Sequence, residues 1–393
     1  MSSNVRTIKI GEQLDTYQTL AHAQKQAKDR NFSDFVIVDV DAHHYENQSW
    51  AEITQYIEDP VIRQMSEANF AKDRSMLIPS TIGNQGISGR ILRNKLRFTE
   101  RSETDLPPDV QQVKVAMDMM GIDYSIVFPT PMLFLGLHPS AEIEVAVARA
   151  YARWVTEKIL PKQPSIKTML YLPFNDPDAS LRLIEEFSDA PGVVGFMVTS
   201  VRFRPVHHRA YLKVYRALEE RNMPLGFHAA FSDRGERSME QLNNFLSVHA
   251  LGFPFYNIIH LTNWVINGMP ERFPNLKVLW IESGLAWIPF LMQRLDHEYA
   301  MRSSEAPLLK KKPSDYMREF YYSVQPMEMY DDLDVLKMTF KMINAETQLL
   351  YSSDYPHWDF DLPSKIYDLP FLTEEAKRNI LGGNACRLFN LSK

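Results

Sequence analysis

The chain has 393 residues, 45% hydrophobic and 23% charged, a globular composition with length for one large α/β domain or two smaller ones around a substantial core. A net charge of −6 and a pI near 6.0 argue against electrostatic capture of nucleic acid, and the one short basic run, Lys310-Lys311-Lys312, reads as a solvated loop. The single cysteine, Cys386, excludes an internal disulfide and lies far in sequence from the acid and histidine motifs, so thiol chemistry is unattractive.

Met1-Ser2-Ser3-Asn4 offers no apolar signal core, and no segment approaches the roughly 18 apolar residues of a membrane span. A soluble, cytoplasmic protein without a membrane partner is expected. Leu14 to Arg30 carries Leu14, Tyr17, Leu20, Ala21 and Ala27 at helical spacing ahead of the first strand. This predicts an N-terminal helical arm, residues 1–33, that packs on the body or on a neighbour.

The apolar run Phe35 to Val38 predicts a buried strand ending in Asp39-Val40-Asp41-Ala42-His43-His44. A strand sends residues i and i+2 to one face, so Asp39, Asp41 and His43 project together, and the last two could grip one divalent ion. The plainer alternative for this segment alone is a polar loop of solvated acids and histidines. His44 and Glu46 alternate away from the ion. The stretch 44–106, with Pro60, Pro79, Gly83, Gly86 and Gly89, has little strand pattern and reads as a long insertion covering the C-terminal face.

From there βα alternation sets in: helix Val110 to Met120, strand Tyr124 to Phe128, helix Ala141 to Ile159, strand Ile166 to Tyr171, helix Asp178 to Phe187, strand Val193 to Val198. It continues through helix Ala210 to Arg221, strand Leu225 to His228, strand Lys277 to Glu282, a short apolar segment around Tyr321 to Val324, and strand Gln348 to Ser352. With the first, these make eight candidate strands, which fits an α/β chain folded as a (β/α)8 TIM-type barrel over residues 34–393. An open doubly wound sheet lacks its glycine-rich nucleotide turn here. Reactive side chains of a parallel barrel gather at the C-terminal strand ends, and three further strands do end in ligand-type residues: the fifth in His228, the sixth in Glu282, the eighth in Asp354 ahead of His357.

These stretches resemble the amidohydrolase superfamily, in particular the amidohydrolase-2 branch with the aminocarboxymuconate-semialdehyde and resorcylate-type decarboxylases. The likeness rests on Val38-Asp39-Val40-Asp41-Ala42-His43, Pro224 to His228, Pro270 to Val278 continued by Glu282 to Pro289, Tyr351 to His357, and Gly383 to Phe389. It implies that Asp41 and His43 stand in the places of the paired first-strand metal ligands, with His228 and Asp354 in the fifth- and eighth-strand places. It further implies that Asp354 can act as general base toward a metal-bound water whose pKa the ion lowers. Two departures bear on this. The sixth-strand position, commonly histidine, holds Glu282, which could bind metal, act as acid or base, or pair with a cation. The fourth strand, Gly195-Phe196-Met197-Val198, offers no lysine for a carbamylated bridge, so one ion is expected and Glu282 is the one residue that could help hold a second. Mixed carboxylate and imidazole donors suit Zn²⁺, Mn²⁺ or Fe²⁺.

Arg202 and Arg204 follow the fourth strand, where a guanidinium could clamp a substrate carboxylate, a surface salt bridge being the bland alternative. His260 could face the pocket, although its apolar neighbours favour a buried, hydrogen-bonded histidine. His357 and Trp358 are placed to position substrate or shuttle protons, while Met117, Met119, Met120 and the aromatic run Phe253 to Tyr256 read as packing. The leading functional reading is a metal-dependent hydrolase of a small organic substrate, expected to be a carboxylate, with Asp354 as base. Nonoxidative decarboxylation of an aromatic or unsaturated acid follows closely. A non-haem iron oxygenase, from two histidines and a carboxylate, comes third, and a catalytically silent partner subunit is the reading outside enzymology. A homo-oligomer, or a hetero-oligomer with a paralogous chain, is expected.

Overall fold

Strands covered on both faces need apolar side chains on both, and segments such as Val278-Leu279-Trp280-Ile281 meet that demand without alternation. The computed structural model describes residues 15–68, 106–199, 204–230, 238–242, 244–329 and 331–392. Its strands are β1 (Val38–His44), β2 (Tyr124–Pro129), β3 (Ile166–Tyr171), β4 (Val193–Thr199), β5 (Leu225–His228), β6 (Val278–Ile281), β7 (Tyr321–Ser323) and β8 (Leu349–Leu350). They pair in chain order, each parallel to the next. The last meets the first: Val40 N–H donates to Tyr351 O at 3.0 Å, and Asp354 N–H to Asp41 O at 2.7 Å. The fold is a nearly closed (β/α)8 barrel.

Close packing fills the barrel. Met169 of β3 occupies the space beside two glycines: a Cβ at Gly195 would lie 2.8 Å from Met169 Cε and 2.8 Å from Pro224 O, and one at Gly226 would lie 3.2 Å from Met169 Cε. Only a missing side chain on β4 and β5 lets the methionine in. Outside run α1 (Thr16–Asp29), α2 (Pro60–Ala68), α3 (Pro108–Met120), α4 (Ala141–Trp154), α5 (Pro177–Phe187), α6 (Leu212–Glu220), α7 (Phe245–Ile266), α8 (Trp287–Arg302) and α9 (Leu333–Met342). Asp15, Ser140, Asp176 and Asn244 cap α1, α4, α5 and α7 by accepting otherwise orphaned N–H groups of the first turn. The arm helix α1 packs against α3, and the Arg30 guanidinium donates to both carboxylate oxygens of Asp368 at 2.8 and 2.6 Å.

Several boundaries differ from the expectation. Phe35, Val36 and Ile37 precede β1, which instead runs through the acid and histidine motif, because backbone pairing to β2 and β8 continues beneath those polar side chains. Helices α7, α8 and α9 complete the βα units after β5, β6 and β7. Gly252 and Pro254 suggest a break at the centre of α7, yet the helix passes through Pro254. Within the insertion, Glu46–Ser49, Trp50–Ile53 and Thr54–Tyr56 form short helical turns ahead of α2, and its remainder, 69–105, lies outside the described residues, as does Arg202. Among the described residues no helix is long and apolar enough to cross a membrane.

Candidate metal centre

At the mouth of the barrel β1, β5 and the segments that follow β6 and β8 bring buried side chains to one place. His43 Nε2 lies 3.1 Å from Asp41 Oδ1 and 3.3 Å from Asp354 Oδ1, and His228 Nε2 lies 3.2 Å from the same Asp41 oxygen. Glu282 Oε2 stands 3.5 Å from His228 Nδ1. Two overlapping donor groups result, Asp41, His43, His228 and Glu282, and His43, Asp354 and His357, each with its ligand atoms within 4.8 Å of one another. An ion with bonds of about 2 Å spaces its donors ~3–4 Å apart, the range these closest pairs occupy.

Backbone conformation aims two of these groups. Glu282 and Asp354 both adopt positive φ, 56° and 61°, immediately beyond β6 and near the end of the eighth strand segment. Left-handed backbone in a non-glycine residue costs on the order of 1–3 kcal/mol and persists only where surroundings enforce it. Here Glu282 N–H donates to Ser323 Oγ at 2.9 Å, and Asp354 O accepts from His357 N–H at 2.8 Å.

The donor chemistry fits a divalent cation. Asp41 Oδ2 and both ring nitrogens of His43 are buried without a hydrogen-bond partner among the described residues. His228 Nδ1 lies 2.9 Å from Ala229 O, so in the neutral ring that nitrogen carries the proton and Nε2 turns a lone pair toward Asp41 Oδ1. Lone pairs facing lone pairs in a buried place call for a cation between them. Burial pushes the His43 imidazole down to about 4, leaving it neutral with a lone pair to give at pH 7. Burial works to raise the Asp41 carboxyl, and positive charge on the side of His228 and His43 works to lower it, which is the charge a bound cation supplies.

Residues flanking the motif have other occupations. Asp39 accepts from Ser353 Oγ at 2.5 Å and Ser353 N–H at 2.8 Å, and burial raises its carboxyl to about 7 against those bonds. His44 turns away from the cluster, with Nδ1 2.8 Å from Asp109 Oδ2 and Nε2 2.8 Å from the Tyr151 hydroxyl. Glu46 is buried and accepts from Met132 N–H at 2.7 Å. His357 is buried in the cluster with Nδ1 2.7 Å from Asp354 Oδ1, and Thr130 Oγ1 reaches its Nε2 at 3.2 Å. Nothing in the sequence marked Thr130, an ordinary β-branched residue at a strand end. Arg204 is exposed, His260 is buried on α7 outside both donor groups, and Trp358 packs its ring against His249 and Phe245.

The amidohydrolase family model matches residues 39–391, and the chain belongs to that family, in its amidohydrolase-2 branch. Among curated proteins, the gamma-resorcylate decarboxylase of Polaromonas sp. (strain JS666 / ATCC BAA-500) is 21% identical over 294 residues, covering 72% of this chain and 89% of that protein. The 2-amino-3-carboxymuconate-6-semialdehyde decarboxylase of Dictyostelium discoideum is 25% identical over 144 residues, 36% of this chain and 38% of that one. Among solved structures, a dihydroxybenzoic acid decarboxylase from Polaromonas sp. JS666, with bound manganese and the inhibitor 2-nitroresorcinol, shares the fold with a TM-score of 0.65. It is 18% identical, with 91% of this chain and 98% of that one covered.

Proposed function

We propose that this chain is a divalent-metal-dependent carboxy-lyase that removes carbon dioxide nonoxidatively from a small aromatic or unsaturated carboxylic acid. The observation carrying the metal is the buried, mutually facing set of Asp41, His43, His228, Asp354 and Glu282. Geometry of this kind serves hydrolysis as well; the preference for decarboxylation comes from the relatives, named as decarboxylases.

Asp41, His43, His228 and Asp354 would hold the ion. When bound, it supplies a positive charge that orients and neutralises the substrate carboxylate and an adjacent hydroxyl or keto oxygen. Three buried carboxyl groups exceed the charge of one divalent ion by one, so a single proton retained among them restores balance. Glu282, beside His228 and 3.8 Å from His357 Nδ1, is our choice for that proton. In the reaction the carbon bearing the carboxylate accepts a proton, its bond to the carboxylate carbon breaks, and the electron pair stays with the organic product as carbon dioxide leaves. Glu282 gives that proton and regains one from solvent; His357 keeps Asp354 in place.

The test is a product balance on manganese-loaded protein with a panel of ortho-hydroxybenzoic acids in D₂O enriched in ¹⁸O. The expected result is carbon dioxide with one deuterium on the vacated carbon, lost in Glu282→Gln. Incorporation of ¹⁸O into the organic product without carbon dioxide would replace this reading by hydrolysis, and uptake of dioxygen by oxygenation.

A further inference from the structure

Asp354, His357 and Thr130 form a chain of three buried side chains, carboxylate to imidazole to hydroxyl, at 2.7 and 3.2 Å. Thr130 comes from the segment after β2, and its backbone is fixed on both sides. Its N–H donates to His44 O at 3.0 Å, and its carbonyl accepts from Leu133 N–H at 3.2 Å. Two residues on, the buried Glu46 carboxyl group accepts from Met132 N–H. The hydroxyl is thus delivered by rigid backbone rather than by a wandering loop.

A neutral imidazole has one N–H and one lone pair. An ionised Asp354 only accepts, so Nδ1 must donate to it. Nε2 is then an acceptor, and a threonine hydroxyl can donate to it. We infer that Thr130 is a positioning residue: Asp354 sets the Nδ1–H tautomer of His357, and the Thr130 hydroxyl, donating to Nε2, fixes the rotation of the ring so that it grips Asp354 and does not itself trade protons with substrate. The ring also stacks on His43, with centroids 4.2 Å apart and planes at 29°, so a correctly held His357 fixes two members of the donor set together. Partners that orient metal ligands in this way matter by about 10- to 100-fold when removed. The inference rests on Asp354 belonging to the metal-holding set, as proposed above. The same order of groups would also suit a hydroxyl nucleophile, which would leave a covalent adduct on Thr130.

The experiment has two arms. In the first, metal-free full-length protein labelled with ¹⁵N-histidine is examined by long-range ¹H–¹⁵N correlation at pH 7.5, with His357→Gln identifying the signal among 11 histidines. Wild type and Thr130→Ser should show at His357 a protonated Nδ1 and a bare Nε2 moved upfield by the hydroxyl's hydrogen bond, while Thr130→Val should keep the tautomer and return Nε2 downfield toward the position of an unbonded imine nitrogen. Thr130→Ala is read the same way should the valine variant not fold. In the second, manganese-loaded Thr130→Val should lose carbon dioxide release in kcat by about 10- to 100-fold with KM changed less than about 2-fold, and Thr130→Ser should recover it. Unchanged His357 nitrogen signals in Thr130→Val, or a substrate adduct on Thr130 by mass spectrometry, would overturn the inference. Should wild type release no carbon dioxide from any acid, the lyase reading falls, and the nitrogen signals still decide the role of Thr130.

Discussion

Replacing Asp41 by Asn removes one negative charge from the donor set while nearly preserving its shape. Asp41 Oδ1 is the oxygen that both His43 Nε2 and His228 Nε2 face, at 3.1 and 3.2 Å, and Oδ2 is buried with no hydrogen-bond partner among the described residues. An ion bound only by the native state adds stability of RT ln(1 + [L]/Kd), about 2.7 kcal/mol when its free concentration is 100 times Kd. Unfolding entropy of roughly 2.1 cal/mol/K per residue, taken over 393 residues, converts this into a rise in Tm of about 3 °C. A ~100-fold weaker site at the same ion concentration retains only ~0.4 kcal/mol, a rise below about 1 °C. Metal-stripped wild type and Asp41→Asn are melted with and without Mn²⁺, Zn²⁺ and Fe²⁺, the last without air. Each protein serves as its own reference, so any change in the stability of the variant itself cancels. An equal rise in the two proteins, or none in wild type with any of the three ions, would refute the assignment of this cluster as a metal site.

Two further outcomes test the surroundings. Burial holds the Glu46 carboxyl well above its ordinary value of 4.5, so the unfolded chain releases that proton first and stability falls as pH climbs through the window above 4.5. Glu46→Gln keeps an acceptor for Met132 N–H and removes a slope of up to about 1.4 kcal/mol per pH unit, read by urea unfolding at pH 5 and pH 7; identical slopes would contradict the burial argument. Gly195→Ala forces a Cβ to within 2.8 Å of Pro224 O and Met169 Cε, and should cost about 1–3 kcal/mol in the same assay, whereas a neutral result would mean the barrel interior gives way there.

Local patterns made β2 to β6 legible because their apolar runs are bounded by turns and alternate with amphipathic helices such as α5 and α6. The same logic fails for α7: its 22 residues carry no charge and no clear polar face, and Gly252 and Pro254 imitate a break. Strands β7 and β8, three and two residues long, hold their places through tertiary pairing that no short window reveals. The pairing of Asp41 with His43 was legible because the two-residue period of a strand is a local rule, while Asp39, beyond a register shift in β1, turns to Ser353 instead. Positive φ at Glu282 and Asp354 was not, as neither side chain announces it.

Thr130 and His357 show why the rest of the site was hidden. His357 is tied to Asp354 by a three-residue step, which sequence can suggest, but its second partner comes from 227 residues away. That juxtaposition follows from barrel closure itself. The bonds that join the eighth strand segment to β1, Asp354 N–H to Asp41 O and His43 N–H to Tyr355 O, 2.7 Å each, are made by the backbones of the candidate ligands and their immediate neighbour. Closing the cylinder therefore brings Asp354 to Asp41 and His43, so a change that loosens the seam between β8 and β1 should weaken ion binding even where every ligand side chain is intact.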